Sequence, residues 1–422
     1  MRIDFSQFGQ KFTSHSGILQ LMDDISIALS SDEPMLMLGG GNPAHIPEVQ
    51  ALFRQQASQL LADDNRFERM IGDYDAPQGS QAFIQALIDL LHQTYGWSLK
   101  PENVALTNGS QTAFFCLFNL LAGQFDNGTQ KKILLPLAPE YIGYTDLSIG
   151  EALFVGNKPQ FEFFEHNLFK YRVDFDALHI DDNINAICVS RPTNPTANVL
   201  TDDEMHSLSQ LAKQHDIPFI IDGAYGSPFP NIIFTDAEPI WDEHIILCLS
   251  LSKLGLPGAR TGIVIAHEKV TRALASMNAV MSLAPNTMGA ILATDMMQSG
   301  KILQLGREMI QPFYQHKAQQ AVQWFQTALK SYSLYIHKPE GAFFLWLWFK
   351  DLPITTMELY QRLKKRGVII VPGEYFFPGL EQEQWAHKQQ CIRFNYAQPE
   401  NKVKQGIEMI AQEIKQAYQA SA

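Results

Sequence analysis

The sequence predicts an α/β protein: a large domain with a mainly parallel, seven-stranded sheet, and a smaller α+β domain beside it. Within residues 102–265, seven short apolar runs alternate with helix-like stretches, the rhythm of a parallel sheet covered by helices on both faces. After Gly300 that rhythm gives way to a long polar-apolar stretch, one strongly apolar run and shorter strand-like segments. The chain has 422 residues, room for two or three domains at roughly 100 to 200 residues each.

The first 45 or so residues show no sheet rhythm and are expected to pack with the smaller domain, giving a division into 1–45, 46–300 and 301–422. Residues 79–96 place Phe83, Leu87, Leu90 and Leu91 on one side of a helix. The strand-like runs are VALTN, ILLPLAP, ALFVG, INAICVS, PFIID, IILCLSLS and GIVIA. Between them, residues 202–215 repeat Met205, Leu208 and Leu211 at helical spacing, with Asp202 as the expected cap. Beyond Gly300 come an expected helix over 303–329, the run GAFFLWLWF, a helix over 356–366, the strands VIIVP and CIRFNYA, and a last helix over 399–418.

Composition narrows the function. Lys and Arg number 32 against 44 Asp and Glu, a net charge of −12, which argues against a nucleic-acid binder. The basic run Lys364-Lys365-Arg366 reads as a solvated helix end. Hydrophobic residues are 46% and charged residues 18%, the balance of a globular chain rather than a disordered one. The N-terminal stretch MRIDFSQFGQKF lacks the apolar core of a secretory signal, and no uncharged apolar run approaches the ~18 residues of a membrane span. A cytoplasmic location is expected. Cys116, Cys188, Cys248 and Cys391 lie far apart in apolar surroundings without metal-ligand spacing, so they read as buried free thiols and no metal is expected.

In an open parallel sheet, ligands bind beyond the carboxyl ends of the strands. There the sequence places Asn194 after AICVSRP, Asp222 closing PFIID, Lys253 after IILCLSLS, and Gly109-Ser110-Gln111 after VALTN. The steps from Asn194 to Asp222 and on to Lys253 are each about 30 residues, one βαβ unit. Alone, each has a bland explanation: a turn, a cap or a surface charge. Together they bring an amide, a carboxylate and an amine to one rim.

These segments resemble the fold-type I aminotransferases, enzymes that use pyridoxal 5′-phosphate, through SLSKLGLPGARTG at 250–262, IIDGAYG at 220–226, RPTNPTANVL at 191–200 and CIRFNYA at 391–397. The resemblance runs over nearly the whole chain. It implies that Lys253 forms the Schiff base with the cofactor and moves the substrate proton, and that Asp222 pairs with the pyridine nitrogen. Tyr225 and Asn194 would hydrogen-bond the phenolic oxygen, and Tyr141 would stack on the ring. For the phosphate, Gly109, Ser110 and Gln111 stand at the start of an apolar helix, where anions are favoured, with Ser250 and Arg260 beside them. Tyr74 would reach the site of the opposite subunit, which implies a homodimer.

For the substrates, a small-molecule amino acid and a 2-oxo acid, the resemblance assigns Arg393 to the α-carboxylate, helped by Asn194 and the backbone of Gly41. An Arg within the apolar run CIRFNY would be costly without an anionic partner. Between Arg260 and Gly300 the sole arginine is Arg272, which points to an uncharged substrate side chain; residues 15–22 are candidates to line its pocket. Ala197 stands where the family has glycine, a cost of about 1 kcal/mol if the turn needs positive φ. A carbon-sulfur β-lyase, an aminotransferase preferring aromatic or other donors, and a non-catalytic cofactor-binding regulator share these motifs. The acidic balance and the start of the motifs near Gly39 disfavour the regulator.

Overall fold

Each of the seven apolar runs becomes a strand of one sheet in the computed structural model, which describes residues 3–14, 16–30 and 35–420, with only the backbone at 28 and 29. His15, from the expected pocket-lining stretch, lies outside the described residues. The sheet runs Val104–Thr107, Gly262–Ile265, Ile245–Ser250, Phe219–Asp222, Ile184–Ser190 and Gln130–Leu135, with Phe154–Gly156 on the far edge. Gly262–Ile265 is antiparallel to both neighbours; the other six point one way. An eighth strand, Gly123–Gln124, pairs antiparallel with the start of Gln130–Leu135; two residues leave no periodic signal in sequence. Val104–Thr107, Ile245–Ser250 and Gly262–Ile265 are buried along their whole length, and Ile184–Ser190 and Phe219–Asp222 at all but one residue each, which is why they read as continuous apolar runs instead of alternating ones. Cys116, Cys188, Cys248 and Cys391 are all buried and free.

Common direction puts the strand ends on one rim. Ser190 and Cys248 are both in register with Asp222, and Ser250 and Thr107 with Gly262. The helix Ser110–Leu121 starts directly from this rim, with Gly109 as its N-cap.

Three local expectations are corrected. The cap of helix Asp202–Gln214 is Thr201, whose hydroxyl accepts from Glu204 N while the Glu204 side chain returns to Thr201 N, a reciprocal box that outcompetes Asp202. Asp202 instead pairs with Arg191 at 2.6 Å. The helix expected over 303–329 is interrupted: Lys301–Gln304 passes into a π-helical stretch, Leu305–Ile310, before Gln311–Ala328 resumes. Pro312 has no N–H for an i→i−4 bond there, and the wider turn absorbs the loss. The basic run is not a freely solvated helix end either, because Lys364 pairs with Asp24 at 2.7 Å and Arg366 with Glu413 at 2.6 Å.

A second sheet has six strands in the order Val371–Pro372, Cys391–Asn395, Phe344–Phe349, Leu334–His337, Leu168–Arg172 and Gln160–Phe164. The last two form a hairpin from the middle of the chain that the sequence pattern did not reveal. Leu36–Met37 pairs in parallel with Val368–Ile369, and Asn395 N donates to Leu38 O at 2.7 Å. This sets residues 39–41 beside the strand that carries Arg393.

The hairpin braces the loop bearing Asn194. Lys170, 3% exposed, pairs with Glu340, 4% exposed, and donates to Val199 O at 2.8 Å, while Glu340 accepts from Val199 N at 3.2 Å. Removing Lys170 takes the buried cation from Glu340 Oε2 and leaves the carboxylate only the partly exposed Lys338 Nζ, 3.2 Å from Oε1. Lys170→Met is therefore expected to lower unfolding stability by about 3 kcal/mol, the low end for breaking a buried pair, measured by denaturant titration against the wild-type chain.

Candidate active site

The rim carries nine of the sequence-predicted residues into one cavity of about 140 Å³, lined by Ser110, Gln111, Tyr141, Asn194, Asp222 and Tyr225, together with Ser250, Lys253 and Arg260. Asp222 is the last residue of its strand. Its Oδ1 accepts from Ala224 N at 3.0 Å and its Oδ2 from the Tyr144 hydroxyl at 2.9 Å. Burial raises its carboxyl to about 6, opposed by those two hydrogen bonds and by the Lys253 amine.

Lys253 follows the strand Ile245–Ser250, and its Nζ donates to Gly41 O at 2.7 Å. The amine stands 5.4 Å from the centre of the Tyr225 ring and 5.6 Å from that of Phe343. Burial above all, with the Arg393 and Arg260 cations, lowers it to about 8, while Asp222 acts the other way. About a tenth of this amine is thus unprotonated at pH 7, far more than for an ordinary lysine, as a base or nucleophile requires.

At one end of the cavity the backbone and Arg260 interlock. Gly109 has φ +87°, and a Cβ there would lie 2.1 Å from the Arg260 guanidinium. A Cβ at Gly262 would lie 2.6 Å from the Gly109 carbonyl carbon and 2.7 Å from Ser110 N. Only glycine at both places lets the guanidinium lie against the first turn of helix Ser110–Leu121. The Ser110 hydroxyl donates to Leu249 O at 3.2 Å, and the Ser250 hydroxyl accepts from Ser252 N at 3.1 Å. Helix N-terminus, hydroxyls and a fixed cation form an anion cradle.

Arg393 is not part of the cavity lining but is tied to it. It is 1% exposed, donates to Asn194 Oδ1 at 2.7 Å and to Gly39 O at 2.6 Å, and lies between the Phe344 and Phe376 rings, at 4.5 and 5.1 Å. Burial lowers it to about 10, Tyr225 and Tyr141 opposing. Its buried Nε has no hydrogen-bond partner among the described residues. A fixed guanidinium with donor capacity to spare can hold a carboxylate.

Other expectations resolve individually. Ala197 sits at φ +60° and is fully buried, so the turn does hold a left-handed residue without the family's glycine. Arg272 lies in helix Glu268–Ser282 with its guanidinium 76% exposed and 3.9 Å from Glu268; it does not line the cavity. Tyr74 is 81% exposed and outside the lining. Sequence reasoning missed Tyr144, Phe344 and Phe376, which hold Asp222 and Arg393. Tyr144 stands in EYIGY, three residues after Tyr141, a signal that a second phenol enters the same region; the two phenylalanines carry no comparable mark.

An unusually weakly basic lysine and a buried aspartate on one cavity, ending in an anion cradle, define a pyridoxal phosphate-dependent enzyme of the fold-type I class. The profile of the family described as "Aminotransferase class I and II" matches residues 53–410, and the chain belongs to that family. It is 50% identical, over 99% of both chains, to the valine–pyruvate aminotransferase of Escherichia coli K12. Among solved structures, a putative amino-acid aminotransferase from Psychrobacter arcticum 273-4 matches with a TM-score of 0.96 at 50% identity, covering 99% of this chain and 100% of that one. The valine–pyruvate aminotransferase of Salmonella typhimurium LT2 matches with a TM-score of 0.88 at 50% identity, covering 96% of this chain and 100% of that one.

The cofactor is pyridoxal 5′-phosphate, and the donor set fits it: a glycine-lined cradle for phosphate, a carboxylate for the ring nitrogen and an amine for the aldehyde. The Asp222 carboxylate is held at a cost to the cofactor-free protein. A carboxyl raised from 3.8 to about 6 stabilises the fold fully below its unfolded value, and that contribution is lost as pH rises to about 6. Asp222→Asn is expected to make the cofactor-free protein more stable at pH 8, by up to about 3 kcal/mol, with no gain at pH 4, while weakening cofactor affinity. Thermal unfolding at the two pH values and cofactor titration check both halves.

Proposed function

We propose that this protein moves an amino group between a small neutral amino acid and a 2-oxo acid, with valine and pyruvate giving 2-oxoisovalerate and alanine. The observation that carries the reading is Arg393, a buried guanidinium bonded to Asn194, with an unused donor and no carboxylate facing it among the described residues. Both an amino acid and a 2-oxo acid bring the carboxylate it lacks. The 50% identity to the Escherichia coli valine–pyruvate aminotransferase and the exposed position of Arg272 support a neutral side chain.

Bound at the cavity, pyridoxal phosphate supplies an aldehyde that condenses with amines and a ring that accepts the electron pair released at the substrate α-carbon. Asp222, as the carboxylate, keeps the ring nitrogen protonated. Lys253 Nζ would take the α-proton and, as its conjugate acid, would give it up at the carbon of the cofactor's aldehyde group instead of at the α-carbon, the shift that moves the amino group. Tyr225 and Asn194 orient the bound group as hydrogen-bond donors, and Tyr141 covers it. Arg393, with Asn194 and the backbone of Gly41, binds the α-carboxylate. Ser110, Gln111, Ser250 and Arg260 hold the phosphate, with Gly109 giving the guanidinium room.

The finer features of the reading are a homodimer in which Tyr74 enters the opposite subunit's site, a cytoplasmic location, a role in alanine and branched-chain amino-acid biosynthesis, and the domain division 1–45, 46–300 and 301–422. The dimer is supported by the exposure of Tyr74, Ile71, Leu283 and Met288 on segments joined by the Thr287 bond to Met70 O at 3.0 Å. No helix among the described residues is long and apolar enough to cross a membrane.

Lys253→Ala is expected to bind cofactor yet lose about 10⁴-fold or more in turnover, because both the proton shuttle and the amine are gone; near-normal turnover would refute the assignment. An amino-donor screen with pyruvate and with 2-oxoglutarate as acceptors tests the substrates. Valine and alanine are expected among the best donors. If both are inert while aromatic or dicarboxylic donors react, the substrate reading is wrong and the chemistry stands.

A further inference from the structure

Four successive backbone carbonyls, from Leu38 to Gly41, are held by groups on other segments. Leu38 O accepts from Asn395 N at 2.7 Å, and Gly39 O from the Arg393 guanidinium at 2.6 Å. Gly40 O accepts from the Asn395 side-chain amide, and Gly41 O from Lys253 Nζ at 2.7 Å. Asn395, 3% exposed, thus holds this stretch twice. Its Oδ1 accepts from Ala397 N at 2.6 Å, which fixes the orientation of the amide: turned over, it would set oxygen against Gly40 O and N–H against N–H.

The nitrogens of the same stretch are unused. Gly39, Gly40 and Gly41 N–H make no hydrogen bond among the described residues. A trans peptide is planar, with its N–H opposed to its C=O, so each held carbonyl fixes the direction of the N–H that follows it. Gly40 O is bonded to Asn395, which turns Gly41 N–H the other way. There is room beside it: Gly40 and Gly41 are half-buried, a Cβ at Gly40 would meet nothing within 4 Å, and one at Gly41 only Lys253 Nζ, at 3.8 Å. Two cations, Arg393 and Lys253, flank this turn through the carbonyls of Gly39 and Gly41. Free N–H groups and positive charge together suit an anion.

The three side chains that hold the turn differ in what else they must do. The Lys253 bond belongs to the free amine and is given up when that nitrogen condenses with an aldehyde, and the Arg393 guanidinium is shared with the carboxylate it binds. The Asn395 amide has no second task. We propose that Asn395 is a positioning residue: by holding Gly40 O it aims Gly41 N–H at the substrate α-carboxylate, as a second donor beside Arg393. This rests on the α-carboxylate site of the proposed function and adds the group that keeps its backbone donor in place. A hydrogen bond to a carboxylate is stronger than one between neutral groups, so a lost aim costs carboxylate affinity and leaves the binding of a plain amine alone.

The test uses the full cofactor-loaded chain and two probes: 3-methylbutanoate, a carboxylate with no amino group, and 2-methylpropylamine, an amine with no carboxylate. In wild type carrying nitrogen-labelled glycine, 3-methylbutanoate should move the Gly41 amide proton downfield in magnetic resonance spectra. That resonance is identified by its loss in Gly41→Ala, a change the space around Gly41 allows. Asn395→Ala, and Asn395→Leu, which refills the vacated volume, should each weaken 3-methylbutanoate binding about tenfold and remove the downfield shift, while 2-methylpropylamine binding stays as in wild type. Arg393→Gln should lose 3-methylbutanoate binding; if it does not, the carboxylate site of the proposed function is wrong and the inference falls with it. With that site upheld, any of three results overturns the positioning role: a Gly41 amide unmoved at saturating carboxylate in wild type, undiminished carboxylate binding in the Asn395 variants, or an equal loss of carboxylate and amine binding in them.

Discussion

Charge kept out of water around one small cavity is the constraint on which the rest of the structure depends. Lys253, Asp222 and Arg393 are each desolvated, and each is shifted toward its neutral form by burial before any neighbour acts. Fixed dipoles replace the lost water: Gly41 O for the lysine, Ala224 N and the Tyr144 hydroxyl for the aspartate, Gly39 O and Asn194 for the arginine. Groups held this way need little reorganisation when a charged ligand arrives, which is the sense in which the site is prepared for catalysis.

Those dipoles come from segments remote in sequence, so the scaffold has to hold them in place. The large sheet does part of this through strand direction, since one rim gathers Thr107, Ser190, Asp222 and Ser250. The second sheet does the rest. It carries Arg393 in register with Trp346 and Val371, and the short parallel pairing of Leu36–Met37 with Val368–Ile369 brings residues 39–41 to meet it. The buried Lys170–Glu340 pair fastens the 191–200 loop to this sheet, and the Asp24 carboxyl, 2% exposed, fastens the helix Gly17–Ser30 to Tyr360 and Lys364.

Much of this was legible because the physics is local. Fully buried parallel strands read as unbroken apolar runs, and the chemical residues fall just after them. The hairpin Gln160–Phe164 and Leu168–Arg172 was not legible. Gln160–Phe164 has no buried residue, and Leu168–Arg172 is buried at Phe169, Lys170 and Tyr171, with a charge at the centre whose partner Glu340 is 170 residues away. The π-helical stretch was hidden for a related reason: a helical apolar rhythm continues through it, and only Pro312 marks the lost bond.

The sequence by itself determined the class of fold and the apolar runs that become the large sheet, and it placed Asn194, Asp222 and Lys253 at or just after strand ends and Arg393 within an apolar run, because those signals are local. Only the tertiary structure decided how those groups ionise and what holds them. Proton affinity depends on burial and on neighbours contributed by distant segments: Tyr144 on Asp222, and Phe344 and Phe376 around Arg393. No spacing along the chain encodes such contacts; they exist once two sheets and the N-terminal segment have closed over the same cavity.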